Sequence, residues 1–95
     1  MVSDGQETLK QCRERIDDID ARILELLNER AREALAIGVV KRAQGMPIHV
    51  PEREESVIRR IADMNTGPLS ESAIEAVFRE IFAGMRALEE EGDQQ

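Results

Sequence analysis

The chain is 95 residues long, the size of one small domain, at which a single core is marginal and assembly with another chain is a common source of further burial. Apolar residues make up 41% of it but include only two Phe and no Trp or Tyr, so any core is aliphatic, a composition that favours helices. Twenty acidic residues against 13 basic ones leave a net charge of −7, which argues against a nucleic acid or an anionic membrane as the main partner and leaves room for a small anion at a local basic cluster.

The opening "MVSDGQETLK" has neither the basic start nor the apolar core of a signal peptide, and no later apolar run approaches the ~20 residues needed to span a bilayer. Residues 1–7 are expected to be a flexible N-terminus and the protein to be cytoplasmic. From Leu9 the positions Leu9, Arg13, Ile16, Asp20, Ile23, Leu27, Arg30, Ala34, Ile37 and Lys41 follow in alternating steps of four and three, which is helical periodicity interrupted by four charges. Ile19, Leu24, Leu26, Leu35 and Val40 widen the stripe, and no proline breaks it before Pro47. The spacing predicts one helix from about Thr8 to Ala43, with Asp4 or Thr8 as its cap and Glu7 or Gln11 three residues on. Cys12, the only cysteine, excludes an internal disulfide or a cysteine-based metal site and fits a reducing compartment.

"QGMPIHV" reads as a loop: Gly45 suits a helix end, Pro47 restrains Met46, and Pro51 suits the first position of a second helix. Glu52, Glu54 and Glu55 favour that helix's positive end. His49, the only histidine, stands alone in the loop and offers little as a metal ligand, so no metal is expected. Val57, Ile58, Ile61 and Met64 form the expected inner face of the second helix, which "NTGPL" ends. Ser70 then caps a third helix, whose stripe is Ile74, Val77, Phe78, Ile81, Met85 and Leu88 before the solvated tail of residues 91–95. No repeat or low-complexity block is evident.

A first helix of about 36 residues would run ~54 Å, whereas a compact globule of this size is about 30 Å across. Such a helix overhangs its own domain, and the simplest cover for its apolar stripe is a second copy of the chain in a two-fold dimer. The charges within the stripe need partners, because an unpaired buried charge costs several kcal/mol. One solution is mutual pairing: Asp20 with an arginine across the dimer, Arg30 with Glu29 or Glu33, and Lys41 reaching out to water. The other is a ligand. Arg30 and Lys41 are three turns apart on one face, about 16 Å along the axis, and their long side chains can flank one small molecule. Arg13, about 42 Å from Lys41 along the helix, reaches that ligand only from an antiparallel partner. Arg53 and Glu54 return to the Lys41 end of the bundle after the loop. Glu89, one residue after Leu88, lies at the edge of the third stripe, where a surface carboxylate beside Glu90 and Glu91 is the simplest reading.

The stretch "CRERIDDIDARILELLNERAREALAIGVVKRAQGMPIHVPERE", extended by "FREIFAGMRALE", resembles the all-helical chorismate mutases, especially the domain at the N-terminus of bifunctional chorismate mutase/prephenate dehydratases. The resemblance covers about Leu9 to Glu89, and residues 8–90 form the domain it implies. It implies an all-α, three-helix chain intertwined as a homodimer, whose two active sites each borrow an arginine from the other subunit. The implied reaction is the Claisen rearrangement of chorismate to prephenate, on the route to phenylalanine and tyrosine, without metal, cofactor or nucleophile.

Carried over by motif position, the partner's Arg13 and this chain's Arg30 bind the substrate's two carboxylates, and Arg53 adds positive charge nearby. Lys41 hydrogen-bonds the ether oxygen, Glu54 holds the ring hydroxyl, and Glu89 stands where the family has Gln or Glu as second donor to the ether oxygen. A carboxyl donates only when it carries a proton, so the Glu89 pKa is expected to be raised in the ligand complex and the rate to fall as pH rises, with Glu89→Gln flattening that fall, unless the adjacent Lys41 keeps Glu89 ionised. Val50 replaces an Asp that many relatives carry, and Met85 replaces a Ser near a substrate carboxylate, so the loop is expected to be looser and substrate binding altered. An isochorismate-pyruvate lyase of the same fold, and a non-catalytic dimerisation or metabolite-binding module, are the alternatives.

Overall fold

The computed structural model describes residues 2–93, which form three helices: α1 (Val2–Gln44), α2 (Pro51–Met64) and α3 (Glu71–Asp93). They fall into two units, Met1–Arg30 and Ala31–Gln95, the first holding most of α1 and the second holding its end together with α2 and α3.

In the first unit, α1 begins at Val2 rather than near Thr8, so Asp4 and Thr8 lie within the helix and neither occupies its N-cap. The acidic, proline-free sequence ahead of the stripe suits a helix start, since carboxylates favour the positive end of the helix. The stripe residues Leu9, Ile16, Ile19, Ile23, Leu24 and Leu26 are exposed, whereas Leu27 is half-buried.

In the second unit, α1 ends at Gln44 with a Schellman turn: Met46 N–H donates to the Lys41 carbonyl at 2.8 Å and Gly45 N–H to the Arg42 carbonyl at 3.3 Å. Gly45 holds φ +67, a left-handed conformation that costs an L-residue about 1–2 kcal/mol. Pro51 opens α2 as its sequence position predicts. Ser70 caps α3, its Oγ accepting from Ala73 N–H at 3.1 Å and its carbonyl from Ile74 N–H at 3.1 Å. Between α2 and α3, Asn65 Oδ1 accepts from Gly67 N–H at 3.2 Å while its Nδ2 donates to the Leu69 carbonyl at 2.9 Å, so one side chain ties the turn at both ends.

α2 packs on α3, with Ala34, Val57 and Phe82 as the buried apolar residues. In α2 and α3 two expected inward residues face out instead: Met64, the last residue of α2, is 66% exposed, and Val77 is 53% exposed; the stripe residues Leu35, Ile37 and Val40 near the end of α1 are exposed as well. The inner face of α3 runs through Phe78 and Phe82, whose tilted rings lie 6.2 Å apart, and on through Met85 to Glu89. This rotation carries Val77 off the face and brings in Phe82, which the expected stripe omits. α3 also continues through residues 91–93 of the expected tail; Gln94 and Gln95 lie outside the described residues.

Candidate active site

Lys41 stands in the last turn of α1, where the aliphatic pattern would place a Leu or Ile. Its side chain is only 17% exposed, and the ammonium has found replacements for water. Nζ donates to the Ile48 carbonyl at 2.8 Å and lies 3.5 Å from Glu89 Oε2. The Schellman turn produces the first of these contacts by folding the loop back over the helix end. An ammonium has three N–H donors, so one remains after these two contacts among the described residues.

Glu89 reaches Lys41 from α3 and is the buried charged residue of the second unit. Its own carbonyl accepts from Arg42 Nη1 at 3.3 Å, which fixes the α3 backbone against the end of α1. Gly38 permits that approach: a Cβ there would sit 3.3 Å from Glu89 Cγ and 3.4 Å from Arg42 Nη1. At 3.5 Å the Lys41–Glu89 contact is longer than the 2.7–2.9 Å usual for a charge-assisted bond.

Glu54 comes from the first turn of α2, with a side chain 17% exposed. Its Oε2 accepts from Arg86 Nη1 on α3, and its Oε1 lies 3.7 Å from His49 Nε2. Val50 is the N-cap of α2 and offers no side-chain cap, as a valine must. Its carbonyl nevertheless accepts the N–H of Arg53 at 3.1 Å and of Glu54 at 3.3 Å, which starts the helix and sets the Glu54 backbone.

The second unit thus brings Lys41 to Glu89 and holds Glu54 by α3, while Arg53 is exposed and Met85 half-buried. Arg13, exposed, and Arg30, half-buried, belong to the first unit. Three contributors escaped the sequence reading. Arg42 and Arg86 look like ordinary surface arginines beside Lys41 and Met85, and the value of Gly38 appears only once Glu89 is placed against it. His49, which stands alone in the loop sequence, lies near the Glu54 carboxylate. Among the described residues no three His, Cys, Asp or Glu side chains gather as metal ligands would, and no helix is long and apolar enough to cross a membrane. A cationic donor and a carboxyl converging in a largely dry place can hold an oxygen on which charge develops.

Residues 12–90 match the sequence profile of the family described as chorismate mutase type II. The chain is 47% identical over 83 residues to a bifunctional chorismate mutase/prephenate dehydratase of Neisseria gonorrhoeae, covering 87% of this chain and 22% of that protein. A protein of the same description from Aquifex aeolicus is 42% identical over 87 residues, covering 87% of this chain and 24% of the relative. The chain therefore spans about a quarter of the length of these curated relatives. Among solved structures, a chorismate mutase (form II) from Thermus thermophilus superposes with a TM-score of 0.85 at 34% identity, covering 86% of this chain and 93% of the other.

Proposed function

The chain belongs to the chorismate mutase type II family, and from that premise we propose that it converts chorismate to prephenate. The observation that carries the proposal is the pair formed by Lys41 and Glu89, a part-buried ammonium facing a buried carboxyl at 3.5 Å at the end of an otherwise aliphatic stripe.

The rearrangement is unimolecular: the ether C–O bond breaks as a new C–C bond forms, with no net proton transfer. Two things speed such a step, restraint of the substrate in its reactive conformer and stabilisation of the charge that grows on the ether oxygen. The remaining Lys41 N–H supplies the second, with Glu89, when protonated, as the opposing donor. Glu54 accepts from the ring hydroxyl. Arg30, and Arg13 from a second copy, bind the two carboxylates through their guanidinium forks. Arg53 adds positive potential near that end, while Val50 and Met85 line it without a side-chain hydrogen bond to the ligand. No metal or cofactor enters the reaction.

A homodimer completes the site in this reading. The exposed aliphatic residues of α1, Leu9 to Leu26 in the first unit and Leu35 to Val40 in the second, support it, because exposed apolar surface of this kind marks an interaction site. A single cysteine, which can form no internal disulfide, fits work in the reducing cytoplasm.

The test is to mix purified protein with chorismate, follow loss of substrate absorbance, and identify the product, with Arg30→Ala as control. Prephenate that forms with the parent protein and not with the variant bears the proposal out. Pyruvate release from isochorismate without prephenate formation would make the protein a lyase, and a folded dimer without turnover would make it a binding module.

A further inference from the structure

Glu54 owes its position to a residue that the proposed reaction does not use. Its carboxylate receives the guanidinium of Arg86 on Oε2, whereas its other neighbour, His49, is 53% exposed and 3.7 Å from Oε1, too far for a hydrogen bond. Among the described residues two arginine–carboxylate ties join α2 to α3, and they differ in surroundings. Arg79–Glu55 lies in the open, with side chains 42% and 50% exposed, while Arg86–Glu54 is sheltered at 30% and 17%. Solvent and salt screen the first pair far more than the second.

We infer that Arg86 is a positioning residue for substrate binding, holding Glu54 by one oxygen so that the other is presented to the substrate's hydroxyl. The inference rests on the proposed role of Glu54 as that hydroxyl's acceptor. Arg86 acts in a second way as well. The substrate is a dianion, and a bare Glu54 carboxylate beside it would repel it; the guanidinium offsets that charge without touching the ligand. Arg86 stands three residues before Glu89 on α3, so a single helix sets both carboxyl groups of the site from neighbouring positions. Without Arg86, Glu54 has no hydrogen-bond partner among the described side chains and turns toward water.

The test compares kcat and KM of the parent protein with those of Arg86→Ala, Arg86→Lys, Glu54→Gln and the double variant Arg86→Ala/Glu54→Gln. Loss of a hydrogen bond between charged groups predicts that Arg86→Ala raises KM about tenfold and changes kcat much less. Arg86→Lys recovers much of that loss, and Arg86→Ala adds little once Glu54 is already Gln, because coupled residues are not additive. Unchanged KM in Arg86→Ala, or independent losses that multiply in the double variant, would overturn the inference. A readout without substrate accompanies it: side-chain NMR couplings of Glu54 report one rotamer in the parent protein and averaging in Arg86→Ala, while averaging already in the parent protein refutes the tether. If the parent protein leaves chorismate unchanged, the mutase reading fails and the Glu54 couplings still decide the tether. Should Arg86→Ala fail to fold, the parent protein's couplings and Arg86→Lys carry the comparison.

Discussion

An ammonium drawn from water into an aliphatic stripe is tolerated only where other groups replace its hydration, and Lys41 has two such groups, the Ile48 carbonyl and Glu89. Its expected contribution to the reaction is correspondingly specific. Lys41→Ala should lower kcat by ~10²–10³-fold, the usual loss on removing one donor to a developing oxyanion, in a chorismate assay at saturating substrate. Lys41→Arg should not restore it, since a planar fork cannot fill the place of a compact three-donor group. Glu89→Ala should likewise lower kcat in the same assay, and Glu89→Gln, which keeps a donor of the same length, should retain more of it; an unchanged kcat in Glu89→Ala would remove Glu89 from the donor role. The position of Lys41 was legible in the sequence because it breaks a periodic pattern. Burial of Glu89 was not, since the neighbouring Glu90 and Glu91 make the same stretch look like a solvated helix end.

At the scale of the elements, local chemistry set most boundaries. Gly45, Pro51 and Ser70 each do what their sequence positions indicate, because a left-handed turn, a first helical position and an N-cap depend on neighbours a few residues away. The start of α1 and the rotation of α3 did not follow from local pattern. An amphipathic stripe fixes the buried face only to within a residue or so, and packing against α2 selected Phe82 over Val77. The cap missing from α2 supplies a stability prediction. Val50→Asp should add about 1 kcal/mol, seen as a rise of ~4–8 °C in the melting midpoint for a domain of this size, because Asp accepts the exposed N–H groups of the first turn and meets the positive end of the helix. The Arg79 tie between α2 and α3 is a weaker matter: hydrogen bonds to Glu55 and then Glu75 hold its guanidinium protonated even more firmly than usual, but the group lies open to solvent.

For the whole molecule, the aliphatic residues left exposed on α1 set the expectation. Sedimentation should give twice the mass of one chain, and Ile23→Glu, which places a charge in the stripe, should shift the protein toward monomer and lower turnover with it. Donation of Arg13 across subunits has its own test. Arg13→Ala and Arg30→Ala dimers should each be nearly inactive, and mixing them with subunit exchange should restore about a quarter of parental activity, since half the dimers then hold one intact site of two; no recovery on mixing would place Arg13 and Arg30 in the same chain's site. What the sequence determined by itself is whatever depends on spacing along the chain: three helices, the turns between them and the caps at Gly45 and Ser70, an aliphatic stripe too long for one small globule, and an ordered set of charged residues that resembles one family. What only the tertiary structure decided is which charges meet. Lys41 and Glu89 are 48 residues apart and Arg86 and Glu54 are 32 apart, and their pairing depends on how α3 is rotated and how closely Gly38 lets it approach α1. Rotation and approach are set by side-chain volumes packing across helices, a property that no periodicity within a single helix encodes.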